Sequence, residues 1–337
     1  MFKNSVNVKK ITERFSIFIV LLVMFFVCSI LNANFLSAPN LTNIARQLAV
    51  STVIAYGEML LIISGMLDLS AGAVLALSGV LSVSFYKSSG SLIGAFFIAI
   101  LVSVLCNLIN AAMVADFKLP PFIATLAMMT IARGVALLYT KGQNILQLKD
   151  YIIFGQGSVA GIPMPIIFLA VITVIIWYIL RHTRFGRSLY AIGGNEEASI
   201  ASGINVRTVK YYVFIVNGIL VGIAGVLFMS RVNAGLPNGA IGYEMEGLTA
   251  AIVGGTSFSG GVGTTMGTLA GGFIIGFLNN IMNLTGVDSY VQQITKGVII
   301  ALAVIYDINS KNRKTRRVIL EVEKPKQKTE SNNHYSA

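Results

Sequence analysis

The chain has 337 residues, of which 55% are hydrophobic and 12% charged, with a formal net charge of +11. Soluble domains carry about 25% charged residues, so this composition, with a mean hydropathy of +0.76, excludes an ordinary water-soluble fold. The basic residues come without the aromatic or motif context of a nucleic-acid binder.

Apolar runs of about 16 to 24 residues between short polar breaks have the length a helix needs to cross a bilayer. In chain order they fall at 15–31, 48–64, 71–86, 92–115, 122–139, 165–180, 211–229, 247–256, 264–282 and 290–306. The eighth is too short for a full crossing unless its glycine-rich end is buried in protein, so the count is about ten, with nine or eight as alternatives. The expected fold class is an all-α polytopic integral membrane protein. The first run follows a basic stretch, but it is long for a secretory signal and no small-residue cleavage site follows, so it reads as a retained span.

Lys and Arg gather in three places: Lys3, Lys9, Lys10 and Arg14; Arg181, Arg184, Arg187, Arg207 and Lys210; and Lys311, Arg313, Lys314, Arg316 and Arg317. The positive-inside rule makes all three cytoplasmic, as an even number of crossings before and after the central loop requires. The chain then divides into a cytoplasmic N-terminus (1–14), a transmembrane domain (15–307) with a cytoplasmic loop at 181–210, and a basic cytoplasmic tail (308–337). The tail is expected to be disordered beyond about Glu321.

Within the central loop, Asn195-Glu196-Glu197-Ala198-Ser199-Ile200-Ala201-Ser202-Gly203 reads as a very short, fully capped helix. Asn195 is a favourable N-cap, Glu196 and Glu197 complement the helix dipole, and Gly203 can take the left-handed conformation that closes a helix. Two turns are marginal alone, because nucleation costs more than so few hydrogen bonds return. A piece so delimited is expected to dock into another protein.

No catalytic constellation emerges. His182 and His334 stand apart from any metal cluster, and Cys28 and Cys106 lie in apolar runs without ligand spacing, so neither metal nor cofactor is implied. The glycine-rich stretch 254–263 invites a phosphate-loop reading, but Gly260 is followed by Gly261 and Val262 where that loop needs Lys. A turn or helix break is the expectation, and ATP hydrolysis by this chain is not. Gly218 with Gly222, Gly267 with Gly271, and Gly272 with Gly276 have the spacing that lets helix backbones approach in lipid. They suggest that the last four spans form a compact bundle.

Polar groups at membrane depth are costly unless they meet a partner or an aqueous path. The candidates for a path are Glu58, Asn107, Asn110, Arg133, Asn217, Asn280, Gln293 and Lys296. Interhelical hydrogen bonding stays open for each. As a set, many carboxamides and few charges suit a neutral, hydroxyl-rich solute, whereas an ion route would favour rings of one sign. Asn107-x-x-Asn110 followed by Arg133-Gly134 echoes Asn280-x-x-Asn283 followed by Lys296-Gly297, a short pattern compatible with an inverted repeat.

Several stretches resemble the membrane permeases of bacterial ABC sugar importers of the ribose type. They are Gly65-Met66-Leu67-Asp68-Leu69-Ser70-Ala71-Gly72, Pro120-Pro121-Phe122-Ile123-Ala124-Thr125-Leu126 with Ile131-Ala132-Arg133-Gly134, and Ala191-Ile192-Gly193-Gly194-Asn195-Glu196. Ser202-Gly203-Ile204-Asn205-Val206, Gly254-Gly255-Thr256-Ser257-Phe258-Ser259-Gly260-Gly261 and Gln293-Ile294-Thr295-Lys296-Gly297 complete the set. The resemblance implies a type II importer-like permease fold, a second permease copy, ATPase subunits on the cytoplasmic side and an extracytoplasmic sugar-binding protein. It also makes Asn195, Glu196, Glu197, Ala198, Ser199 and Gly203 the ATPase-coupling segment. Lys141, Lys149, Asp150, Arg231, Glu244 and Glu246, in the longest outer loops, are candidates to meet the binding protein. A stand-alone secondary transporter or channel for a small polar solute is the competing reading.

Overall fold

The computed structural model describes residues 3–322, with side-chain surroundings from 17 to 309. In hydrocarbon, backbone polar groups must be paired within the protein, which favours helices. In chain order these are α1 (Lys3–Leu31), α2 (Ala38–Ile63), α3 (Ala71–Ser89), α4 (Leu92–Ala115), α5 (Pro121–Thr140), α6 (Ile153–Gln156), α7 (Met164–His182), α8 (Arg184–Gly194), α9 (Glu196–Ala201), α10 (Val206–Val232), α11 (Tyr243–Val253), α12 (Thr265–Leu284) and α13 (Ser289–Val322). Strand β1 (Ile145–Leu146) pairs with β4 (Ala234–Gly235), and β2 (Ser158–Val159) with β3 (Ile162–Pro163), both antiparallel.

Eight of these helices are long and apolar enough to cross a membrane, and α1 adds a shorter apolar stretch at Ile17–Leu31. The eighth predicted run becomes α11, with 11 residues. Several boundaries differ from the sequence reading, three of them for a clear physical reason. Helix α2 starts at Ala38 because Pro39 suits a first helical turn, while Asn40, Thr42 and Arg46 hide that turn from an apolar count. Helix α8 occupies residues read as loop; Gly186, Leu189 and Ile192 form its buried stripe, masked by the charges between them. Helix α13 runs past the apolar run predicted to end at 306, on to Val322. The expectation for the tail beyond that point lies outside the described residues.

Contacts sort the turns into two groups, one at each end of the bundle. At one end, Gly261 N–H donates to Ile63 O at 2.9 Å, Tyr190 to Gly263 O at 2.8 Å, Ser257 to Asp307 at 3.0 Å and Tyr211 to Asp116 at 2.6 Å. At the other, Asn32 donates to Leu284 O, Arg46 to Gln156 O, Lys87 to Leu146 O and Leu148 N–H to Asn233. Successive long helices carry the chain between these ends, with α11 as the short member.

Helix α2 lies at the centre, with 89% of its membrane-length window buried, whereas the corresponding window of α13 has none buried. The glycine pairs explain much of the packing. A Cβ on Gly218 or Gly222 would lie 2.8 Å from the α4 backbone at Val104 or Ile100. Gly267 and Gly271 press on Gly254 and Ala250, around the end of α11, while Gly272 and Gly276 press on Thr52 and Leu48 of α2. The pairs therefore join late helices to α2 and α4 as well as to each other. The last four spans are not a separate bundle.

Two non-helical segments enter the bundle from opposite ends and meet inside it. Residues 64–70 bring Met66, Asp68, Leu69 and Ser70 into the interior. Residues 236–242 descend from the β4 side to the start of α11. A Cβ on Gly72 would lie 2.1 Å from Glu244 Oε2 and 2.5 Å from Ala240 O, so the first turns of α3 and α11 face each other. The possible repeat finds little support in the asparagine settings: Asn107 and Asn110 are fully buried, whereas Asn283 is exposed.

Candidate functional site

Four of the sequence candidates converge on one enclosed network. Asn217 Nδ2 of α10 donates to Asp68 Oδ2 at 2.7 Å and to Asn107 Oδ1 at 2.9 Å. Asp68 Oδ1 accepts from Ser70 N at 2.7 Å and from the Ser70 hydroxyl, which in turn accepts from Asn110 Nδ2 at 3.1 Å. Glu58 Oε2 accepts from Asp68 N at 3.3 Å. Glu58, Asp68, Ser70, Asn107, Asn110 and Asn217 are all 0% exposed. In this conformation none of them borders open space, and together they tie α2, α4 and α10 to the 64–70 segment. Asp68 is the centre of the network. As one acid between two apolar runs it does not stand out among the polar groups at membrane depth, and its sequence signals are the apolar company on both sides and its place in the stretch Gly65–Gly72.

Arg133, half-buried in α5, donates from one guanidinium nitrogen to Pro237 O at 2.6 Å and Gly239 O at 2.9 Å. Non-helical backbone inside a membrane protein persists only where its polar groups are paired, and Arg133 does this for the descending 236–242 segment. Replacing Arg133 with Leu should cost about 1–3 kcal/mol for each carbonyl left unpaired, visible as a lowered unfolding midpoint in detergent. An unchanged midpoint would show that other groups take over those carbonyls.

A second cluster lies between α11, α12 and α13. Lys296 Nζ pairs with Glu246 Oε1 at 2.5 Å, and Asn279 Nδ2 donates to the same oxygen at 3.2 Å. Met245, Thr249, Ile275, Leu278, Ile299 and Ile300 line the recess around the ion pair. Gln293 stands on the exposed face of α13, while Asn280, turned toward α2, exchanges hydrogen bonds with Asn40 at 2.8 and 3.1 Å. The eight candidates therefore do not form one continuous lining. Glu246 corrects the loop assignment: it sits in the first turn of α11 and is buried, and Glu244 is half-buried beside Gly72. Lys141, Lys149 and Asp150 are exposed.

The short capped helix is present as α9. Asn195 Oδ1 accepts from Ala198 N at 2.9 Å, and Gly203 has φ +83° with Ile204 N–H returning to Ser199 O at 3.0 Å. Glu197, Ala198 and Ile200 project outward, whereas Ser199 is buried against its own chain. Ser199 thus anchors the helix, and the exposed face consists of its neighbours. Lys210 pairs with Glu196 at 2.8 Å. Beside it, the Arg207 guanidinium and then the Tyr211 hydroxyl donate to Asp116, holding its carboxyl below the usual carboxylate range. The nearby His182 ring stacks on Tyr178, and both Cys28 and Cys106 are free thiols. Among the described residues no group of acids, His and Cys could hold a metal ion.

A helical bundle with a protruding capped helix at one end and enclosed polar clusters has the parts of a transport subunit. The sequence profile of the permease component of branched-chain amino acid transport systems matches residues 40–305. The chain belongs to this permease family. The ribose import permease protein RbsC of Haemophilus influenzae is 40% identical over 86% of this permease and 91% of its own length. That of Bacillus subtilis is 40% identical over 88% and 93%. The D-allose transport system permease protein AlsC of Escherichia coli is 34% identical over 90% and 94%. No solved structure matches. The permease is a multi-pass protein of the bacterial inner membrane.

Proposed function

We propose that this chain forms the membrane path of an ABC importer for a monosaccharide, ribose or a sugar close to it. The observation that carries this reading is 40% identity, over about nine tenths of both chains, to proteins named as ribose import permeases. An extracytoplasmic binding protein delivers the sugar, ATPase subunits bind on the cytoplasmic side, and a second permease copy completes the path. The α8–α9 end is cytoplasmic, both termini lie on that side, and ten crossings are made with α11 as a half-length one. The two groups of turns and the three basic clusters support this arrangement.

In this reading Asn195, Glu196, Glu197, Ala198, Ser199 and Gly203 form the coupling segment, with the outward face of α9 entering the ATPase. The solute passes along the α11–α13 face that carries Glu246, Lys296 and Gln293. Gln293 exposes a carboxamide at membrane depth on a helix with no buried window, an arrangement that lipid disfavours and that an aqueous path or a second copy relieves. Glu58, Asn107, Asn110 and Asn217 hold the core against which that face moves, and Arg133 braces the segment leading into it.

Reconstitution with matched ATPase and binding protein, followed by uptake of labelled ribose and allose, tests the reading. ATP-dependent uptake is expected, and uptake without the ATPase would favour a stand-alone carrier. Replacing Gly203 with Val forces a β-branched residue into the left-handed region, at about 1–2 kcal/mol. It should weaken ATPase co-purification while leaving membrane insertion intact, and full co-purification would remove α9 from the coupling role.

A further inference from the structure

The glycine-rich loop between α11 and α12 has no task in the scheme above, yet it is bonded to α2, α8 and α13. We infer that the seam between Gly193–Gly194 and Gly260–Gly261 carries motion of the coupling unit into α2, α11–α12 and α13. This deepens the proposed importer reading and rests on it.

The seam is backbone against backbone. A Cβ on Gly193 would lie 1.8 Å from Ile63 O and 2.7 Å from Gly261 N; one on Gly260 would lie 2.7 Å from Gly193 O. Gly260 and Gly261 have φ of +79° and +74°, which makes glycine the fitting residue at both positions. The loop is closed on itself by Ser257 N–H to Val262 O at 3.0 Å and Gly260 N–H to Ser257 O at 2.9 Å. It is fastened in three further directions. Gly261 N–H donates to Ile63 O at the end of α2, Tyr190 of α8 donates to Gly263 O, and Ser257 Oγ and Phe258 N–H both donate to Asp307 of α13. Gly254, at the other end of the loop, packs on Gly267 at the start of α12.

Contacts without side chains have little compliance, because close-packed atoms transmit a displacement rather than absorb it. A shift of α8 and α9 on the ATPase must therefore push the loop, and the loop is bonded to the helices that enclose the Glu246–Lys296 recess. The covalent run into α10 leads elsewhere, to the Asp68 network.

The test uses the complete complex with its ATPase and binding protein in proteoliposomes, reading ATP hydrolysis and sugar uptake together. Gly260→Ala disturbs the seam, Tyr190→Phe removes one hydroxyl tie, and Asp307→Ala frees the loop from α13. The expected result is normal co-purification of the ATPase and sustained hydrolysis, with sugar moved per ATP down about tenfold in Gly260→Ala or Asp307→Ala and less in Tyr190→Phe. If Gly260→Ala fails to fold, the other two variants carry the same test. Uptake and hydrolysis falling in proportion, or neither changing, would overturn the seam's role. Failure of the wild-type chain to bring down any ATPase would instead overturn the importer reading.

Discussion

Removing the acid at the centre of the enclosed network, with Asp68→Ala, is expected to be among the most damaging single changes in the chain. Asp68 accepts from Ser70 N–H, the Ser70 hydroxyl and Asn217 Nδ2, and all three donors belong to residues that are 0% exposed. The small alanine side chain would leave those buried donors without their acceptor. Leaving a buried donor unmade costs about 1–3 kcal/mol, so the loss should reach about 4 kcal/mol, in the range reserved for broken buried networks. Thermal unfolding in detergent measures it. Asp68→Asn keeps an acceptor oxygen at the same place and should lose less than half as much. A double-mutant cycle with Asn217→Leu should show strong coupling, since each single variant removes one half of the Asn217–Asp68 hydrogen bond. If the Ala and Asn variants unfolded together with the wild type, the network would be incidental to stability.

The second large effect is expected at the ion pair between α11 and α13. Lys296→Met would leave Glu246, which is buried, without its cation, keeping only the hydrogen bond from Asn279. Breaking a buried pair by removing one partner costs about 3–5 kcal/mol, because the remaining charge is uncompensated. Lys296 is partly exposed in the single chain, so the lower end of that range applies. Uptake should be lost as well, because this is the face proposed to carry the sugar. Glu246→Gln combined with Lys296→Met should recover much of the stability, having no stranded charge, but not the uptake. Recovery of both would reduce the pair to a packing device and move the path elsewhere.

Local chemistry made some elements readable in the chain. The apolar runs became helices because an apolar stretch of sufficient length has one favourable state in lipid, and that condition is local. The α9 cap was readable for a similar reason: Asn195, Ala198 and Gly203 act on backbone within a few residues of themselves. Helix α8 was hidden because its buried stripe is thin and its charges dominate a composition count. Glu246 was misplaced because hydropathy treats an acid beside a break as outside, and the burial of Asp68 went unread. In fact both sit where chain segments dip into the bundle from opposite ends. The glycine pairs announced close packing but pointed to too narrow a set of partners, the last four spans alone. Only the fold shows Gly218 and Gly222 on α4, and Gly272 and Gly276 on α2.

The sequence by itself therefore determined that the chain lives in a membrane as a bundle of helices, and where a short capped helix begins and ends. Each is fixed by solvent preference or by hydrogen bonds across a few residues. The tertiary structure decided which polar groups are sealed into the core and which face outward, because Asp68 with Asn217 and Glu246 with Lys296 are joined across 149 and 50 residues of chain. A residue's neighbours at that separation depend on how every intervening helix packs, and no local pattern encodes them.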